Sequence, residues 1–142
     1  MAKRFYLDTS IWRDFLEDRK DSLRPLGEFA FQFLKKCRET NAEIIVSDAV
    51  VFELKAGLSD ELVKEIFTSF GGIIRMVAAG PKQVFEAKAE WQKRKMALPF
   101  KDVLHAVIAR DNKAVLVARD NHFFDLLASI AVVEKPEDIT FP

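Results

Sequence analysis

The sequence predicts an α/β fold in three layers (α/β/α), with helices on both faces of a mostly parallel central sheet of about five strands. Short apolar runs alternate with segments of helical periodicity along all 142 residues. An alternation of this kind joins its strands through helical crossovers, which make neighbouring strands parallel. The composition, 49% hydrophobic with 13 Phe, supplies enough apolar surface for one core. We therefore expect residues 1–142 to form a single domain.

The first half of the chain predicts two strands and four helices. Residues 4–7 and 44–46 are apolar runs typical of buried strands. The predicted helix starts have an N-cap residue or a first-turn proline, and are Thr9 or Ser10, Pro25, Ser47 and Ser59. The charged residues 17–22 are expected to form a loop, and glycines at 57 and 71–72 end the third and fourth helices.

The second half predicts three further strands and three helices. The strands are expected at residues 73–77, 114–118 and 131–133, where β-branched and other apolar residues cluster. A long helix begins at Pro81 and continues towards Lys95, and Pro99 separates it from a helix over residues 100–112. A short helix over residues 123–127 precedes the last strand.

Composition and charge exclude several classes of protein. The one cysteine rules out an internal disulfide framework and any zinc site built on cysteines. With 22 basic and 22 acidic residues, the chain is not a polycation that coats nucleic acid. No apolar run approaches the roughly 18 residues of a membrane span. Asp8 comes too early for a secretory signal, so we expect a cytoplasmic protein with no membrane partner.

Four acidic residues occupy positions that favour a shared site. Asp8 directly follows the first predicted strand and Asp120 the fourth, and open parallel sheets bind ligands outside the carboxyl ends of their strands. Glu53 and Asp102 lie on helices among apolar neighbours, which for Glu53 are Val51, Phe52 and Leu54. Carboxylates in one cleft repel each other unless some are protonated or a cation binds between them. Oxygen ligands without cysteine favour Mg²⁺ or Mn²⁺.

Each acid also has a structural interpretation. Asp8 is a suitable N-cap for the first helix, and Asp102 is favourable in the first turn of its helix. Asp120 lies in a sequence typical of a turn, and Glu53 is open to pairing with a basic side chain. One shared cation accounts for all four acids at once.

These acids lie in four motifs that together resemble the PIN-domain ribonucleases, in particular the small VapC-type toxins. The motifs are YLDTSIW at residues 6–12, SDAVVFEL at 47–54, PFKDVLHA at 99–106 and LVARDNHF at 116–123. The gaps between their acids are 45, 49 and 18 residues. The resemblance implies metal-dependent endonucleolytic cleavage of RNA. It also implies a site made of Asp8, Glu53, Asp102 and Asp120, with Thr9 or Ser10 as a nearby hydroxyl or backbone contact. An antitoxin protein as partner and a homodimer are implied as well.

Two positions depart from this pattern. Ala118 stands where many relatives have Thr or Ser, and His122 where many have a further acid. A catalytically silent RNA- or protein-binding module is therefore the alternative function. Phosphotransfer through Asp8 is less favoured, because the haloacid-dehalogenase pattern expects an Asp at the position of Ser10.

Basic residues flank two of the acidic motifs. We expect Lys93, Arg94, Lys95, Lys101 and Arg119 to bind RNA phosphates while the acids bind the metal. The alternative for the first three is a solvated helix end, which favours basic side chains.

Two further groups of residues allow more than one interpretation. His105 lies one turn after Asp102, where it is either a structural histidine or a residue that contacts substrate or orients Asp102. Trp12 is expected in the core, whereas Phe85 and Trp91 are candidates for a homodimer surface.

Overall fold

The structure, a computed structural model, describes residues 3–20 and 23–141 and contains one parallel sheet. The strands are β1 (Arg4–Leu7), β2 (Glu43–Ser47), β3 (Ile74–Val77), β4 (Val115–Val117) and β5 (Val133–Glu134). Their order is β3-β2-β1-β4-β5, and all four pairings are parallel. The predicted five-stranded α/β/α fold is confirmed, with a sheet that is parallel throughout the described residues.

The strand order places a crevice between β1 and β4. The chain runs outward from β1 through β2 to β3, and then crosses back to put β4 on the other side of β1. Such a reversal leaves room outside the carboxyl ends of the two central strands, where α/β proteins bind ligands. The backbone N–H of Asp8 donates to the carbonyl oxygen of Val117 at 2.9 Å, so the two strand ends are adjacent.

Seven helices are present in the described residues, and they form the two outer layers. They are α1 (Thr9–Glu17), α2 (Leu26–Thr40), α3 (Asp48–Lys55), α4 (Asp60–Ser69), α5 (Pro81–Lys93), α6 (Phe100–Asp111) and α7 (Asn121–Leu126). Helix α1 packs against α2, and α5 against α6. None of these described helices has both the length and the apolar character needed to cross a bilayer.

Two helix starts differ from a prediction made for them. Asp8 caps α1, as its structural interpretation held, and Thr9 and Ser10 form the first turn instead: the Asp8 carboxylate accepts the backbone N–H of Ser10 at 3.3 Å. The side chain of the residue that precedes the first helical turn is the one that reaches the free N–H groups there. Pro25 occupies the cap position of α2 rather than its first turn. The predicted caps at Ser47 and Ser59 are confirmed.

Other boundaries shift by a few residues. The last strand is Val133–Glu134 instead of residues 131–133, because its pairing with β4 begins at Val133 and continues through Glu134. A short 3₁₀ helix, Pro136–Asp138, follows it and was not expected from the sequence. Helix α1 extends to Glu17, and Asp21 and Ser22 of the predicted loop lie outside the described residues.

Large aromatic side chains fill the core between the sheet and the helices. Phe5, Tyr6 and Trp12 are completely buried, which confirms the prediction for Trp12. The Trp12 ring meets Phe67 edge to face at 5.4 Å, and Phe5 meets Phe33 in the same way at 5.1 Å. Edge-to-face pairs of this kind each add about 0.5–1.5 kcal/mol beyond the apolar area they bury. The strands that border the crevice are therefore packed against a core of large aromatic side chains.

Gly27 is required where α1 meets α2. A Cβ at this position would lie 2.6 Å from the Cα of Asp18 and 2.9 Å from the carbonyl oxygen of Asp14, which are both backbone atoms. We predict that Gly27→Ala lowers the free energy of unfolding by about 1–3 kcal/mol, the usual cost of overpacking. Urea denaturation measures the change.

Gly72→Ala is the matched control, because a Cβ there meets nothing within 4 Å. We expect it to change stability by less than about 0.5 kcal/mol. Equal effects of the two substitutions would contradict the proposed close approach at Gly27.

Candidate functional site

The four predicted acids line one cleft. Asp8 lies at the end of β1, Glu53 on α3, Asp102 in the first turn of α6, and Asp120 directly before α7. The cleft has a volume of about 580 Å³ and is open to solvent at the carboxyl end of the sheet. Residues from four separate segments therefore meet where the strand order reverses.

Asp8 and Asp102 are the buried pair of this set. Their exposed fractions are 5% and 6%, whereas Asp120 is exposed. Burial raises the pKa of Asp102, the nearby charge of Asp8 raises it further, and His122 acts in the opposite direction. Oδ2 of Asp102 is 2.7 Å from Nε2 of His122. Burial and the nearby charge of Asp8 therefore disfavour a second negative charge at the base of the cleft.

Ser10 provides the hydroxyl contact that was predicted beside the acids. Its hydroxyl donates to Oδ2 of Asp8 at 2.5 Å, and its backbone N–H donates to the same oxygen. Thr9 is buried and lines the cleft together with Glu53. Both predicted supporting residues therefore lie at the site.

A chain of buried hydrogen bonds holds Glu53. Oε1 of Glu53 is 2.7 Å from Nε2 of His105, and Nδ1 of His105 is 2.6 Å from the hydroxyl of Tyr6. That hydroxyl is also 2.6 Å from Oγ of Ser47, which accepts the backbone N–H of Val50. His105, Tyr6 and Ser47 are all completely buried.

All hydrogen bonds of this chain are donated in the same direction, from Ser47 towards Glu53. The carboxylate of Glu53 can only accept, so Nε2–H of His105 donates to it. In the tautomer with its proton on Nε2, the imidazole accepts at Nδ1 from the hydroxyl of Tyr6, which in turn accepts the proton of Ser47 Oγ. His105 is thus a structural histidine, as one of the two interpretations held, and its hydrogen bond goes to Glu53 rather than to Asp102.

Glu53 is ionised in this environment. Burial raises its pKa, but the hydrogen bond from His105 and the ammonium of Lys101 act in the opposite direction and hold the pKa below its ordinary value. Nζ of Lys101 lies 3.6 Å from Oε2 of Glu53. Of the apolar residues that flank Glu53 in the sequence, Leu54 is buried and Val51 half-buried, whereas 77% of the Phe52 side chain is exposed.

Only some of the residues predicted to bind phosphate lie at the acidic cleft. Lys101 lines the cleft, but among the described residues Lys93, Arg94 and Lys95 do not. Arg94 bonds the carbonyl oxygen of Leu126 at 2.7 Å, which fixes it at the end of α5. Arg119 is also held in place, by Glu137 and Asp14. The contribution of Lys93, Arg94 and Lys95 to RNA binding stays a prediction from the sequence.

Two arginines at the cleft were missed. Arg13 and Arg19 both line it. Arg13 follows Thr9 by one helical turn, so the spacing of four residues was a usable signal. Arg19 lies beyond the end of α1, where sequence periodicity gives no direction for a side chain.

The donor set fits a hard divalent cation bound partly by substrate and water. The cleft acids offer carboxylate oxygens, the ligands that Mg²⁺ and Mn²⁺ prefer. In the described part of the chain, no three His, Cys, Asp or Glu side chains form a preorganised metal cage. Mg²⁺ does not require one, since proteins usually bind it through one or two carboxylates together with water and phosphate oxygens.

The model of the PIN domain family matches residues 5–128 of the chain. The chain belongs to the PIN domain family. PIN domains are generally nucleases that depend on divalent metals. A comparison with curated proteins finds no match to this PIN domain.

Solved structures share the fold at low sequence identity. VapBC2 from Rickettsia felis, bound to a promoter DNA fragment, matches with a TM-score of 0.67 at 18% identity. The match covers 93% of this chain and 98% of the Rickettsia chain. DNA-bound VapBC from Salmonella typhimurium has a TM-score of 0.67 at 15% identity, covering 96% and 99%. FitAcB from Neisseria gonorrhoeae has a TM-score of 0.63 at 15% identity, covering 95% and 99%. The PIN fold is therefore common to all of them.

The hydrogen-bond chain to Glu53 predicts a specific loss of stability. Tyr6→Phe removes one hydroxyl and leaves Oγ of Ser47 and Nδ1 of His105 buried without their partner. We expect the free energy of unfolding to fall by about 1–3 kcal/mol, as for other buried polar groups that lose a partner. Guanidinium denaturation of the PIN domain measures the effect.

Thr68→Ala is a control, because it removes a hydroxyl that donates to the carbonyl oxygen of Lys64 on the exposed face of α4. We expect a change within about 0.5 kcal/mol. If Tyr6→Phe were equally harmless, the Ser47–Tyr6–His105–Glu53 chain would not be an integral part of the fold.

Proposed function

We propose that this PIN domain is a metal-dependent endoribonuclease that hydrolyses RNA phosphodiester bonds with Mg²⁺ or Mn²⁺ as cofactor. The observation that carries the proposal is the convergence of Asp8, Glu53, Asp102 and Asp120 on one cleft at the carboxyl end of the sheet. Membership of a family of generally metal-dependent nucleases supports it.

The acids have different roles in this proposal. The buried carboxylates of Asp8 and Asp102 are the principal metal ligands, and Asp120 binds from the exposed side of the cleft. Glu53 is held ionised and in a fixed orientation by His105, which suits it to orient a ligand or a water molecule. When bound, the metal polarises a phosphodiester oxygen and lowers the pKa of water.

Other side chains at the cleft fit a nucleic acid. Lys101, Arg13 and Arg19 lie around the acids, and a cation beside a metal-binding carboxylate is suited to contact phosphate. The exposed ring of Phe52 lines the same cleft and offers a surface on which a base can stack. Aromatic and basic groups together are typical of single-stranded nucleic-acid sites.

We further propose that the protein acts as the toxin of a toxin–antitoxin pair, with an antitoxin as partner and a homodimer as its assembled form. The structural neighbours support the first part, since they are VapBC and FitAB assemblies solved with DNA in several cases. Phe85 supports the second, because 78% of its side chain is exposed on α5. Trp91 is partly buried, and its indole N–H donates to the carbonyl oxygen of Leu98.

A catalytically silent binding module is the alternative. Ala118 is completely buried and contributes no hydroxyl to the cleft, and His122 engages Asp102 in place of a further acid. Cleavage of RNA by the wild-type protein separates the two functions.

The cleavage test compares wild-type protein with Asp8→Asn. We expect wild-type protein to fragment folded RNA with Mg²⁺ or Mn²⁺ and not with a chelator. Asp8→Asn should reduce the rate at least about 100-fold, because changes to groups behind the ligands already cost 10- to 100-fold. Asparagine keeps an oxygen for the N-cap bond of α1, so the variant should stay folded.

Asp60→Asn, at the exposed start of α4, is the matched control and should cleave like wild type. No metal-dependent fragments from the wild-type protein would favour the binding module. Undiminished cleavage by Asp8→Asn would exclude Asp8 as a catalytic ligand.

A further inference from the structure

A second cleft adjoins the acidic one and differs from it in charge. It has a volume of about 540 Å³, and Ser10, Arg19 and Asp120 line both clefts. The two clefts therefore share a wall, so a ligand long enough to leave one of them next meets the other. Of the acids that define the first cleft, the second contains only Asp120 on its lining.

The second cleft concentrates positive charge on a protein with no net charge. Five of its lining residues are basic and two are acidic. Two of the basic residues, Lys20 and Lys135, have no carboxylate within ion-pair distance in the described part of the chain. Lys20 follows α1 and Lys135 follows β5, so two distant segments contribute these charges. We call this feature the basic cleft.

The floor of the basic cleft is a network of ion pairs. The guanidinium of Arg119 bonds both carboxylate oxygens of Glu137, at 2.7 and 2.9 Å, and its Nε lies 3.8 Å from Asp14. Only 10% of the Arg119 side chain is exposed, and it lies 5.8 Å from the ring of Phe29. Arg119 is thus balanced by acids and fixed, and Arg19 likewise pairs with Glu17 and Asp14. Nζ of Lys135 lies 5.9 Å from the ring centre of Phe124, a contact that does not neutralise its charge. Lys20 and Lys135 therefore have charge available to a ligand.

The contrast between the clefts matches the charge pattern of a nucleic-acid strand at a metal site. A phosphate next to four carboxylates binds only through a cation, whereas neighbouring phosphates need basic side chains directly. A ligand that spans both clefts must therefore carry repeated negative charges. An RNA backbone has this property.

We propose that the basic cleft binds backbone phosphates of the RNA strand next to the cleaved bond, with Lys20 and Lys135 as the contacts. The inference rests on the proposed nuclease function and adds the path of the strand away from the acids. Neither lysine lies in one of the four acidic motifs, so the fold and not the sequence brings them next to the acids.

The test measures binding rather than cleavage. In an Asp8→Asn background, the affinity for a short fluorescein-labelled single-stranded RNA is determined by anisotropy between about 50 and 200 mM salt. Each phosphate contact to a single strand contributes about 0.7 to the slope of log affinity against log salt. Lys20→Ala with Lys135→Ala should therefore reduce the magnitude of the slope by about 1.4.

Lys82→Ala with Lys88→Ala is the control, because both lysines are exposed on α5 and neither lines a cleft described above. It removes the same charge and should leave the slope unchanged. A slope unchanged by Lys20→Ala with Lys135→Ala would overturn the proposal. Equal reductions in both pairs would also overturn it. Neither result depends on cleavage, so the nuclease function is judged separately by the wild-type reaction.

Discussion

The burial of two carboxyl groups in one cleft is the constraint around which this PIN domain is arranged. Asp8 and Asp102 are almost inaccessible to water, and the charge of Asp8 raises the pKa of Asp102. Like charges in a partly desolvated cleft destabilise the fold unless a cation or a proton lies between them. Such an arrangement opposes stability and favours ligand binding, which is typical of functional sites.

The surrounding structure restrains these acids. A parallel sheet brings the ends of β1 and β4 together, and Asp8 both caps α1 and bonds Ser10. The chain from Ser47 through Tyr6 and His105 fixes Glu53 from behind. The carboxyl end of the sheet, a helix cap and a buried hydrogen-bond chain therefore restrict the movement of these side chains. In the proposed nuclease, these contacts would limit how far Asp8 and Glu53 must move when a cation binds.

Much of the fold and the acidic set could be predicted from sequence, because both follow local patterns. Apolar runs mark the strands, and Asp8 and Asp120 are placed by the strands they follow. Other features depend on side-chain direction after folding. The partner of His105 is Glu53, a residue 52 positions away, and no spacing rule connects them. The basic cleft joins Lys20 to Lys135, so only the fold reveals it. The exposure of Phe52 was missed because an apolar residue type does not fix its environment.

Linkage between cation binding and folding tests the central claim most directly. Urea denaturation of the wild-type PIN domain and of Asp102→Asn, each with Mn²⁺ and with chelator, gives four free energies of unfolding. A ligand that binds only the folded state at about 100 times its dissociation constant adds about 2.7 kcal/mol. We predict a Mn²⁺-dependent gain in wild type that is largely lost in Asp102→Asn. The same gain in both proteins, or no gain in wild type, would contradict a cation site built on these carboxylates.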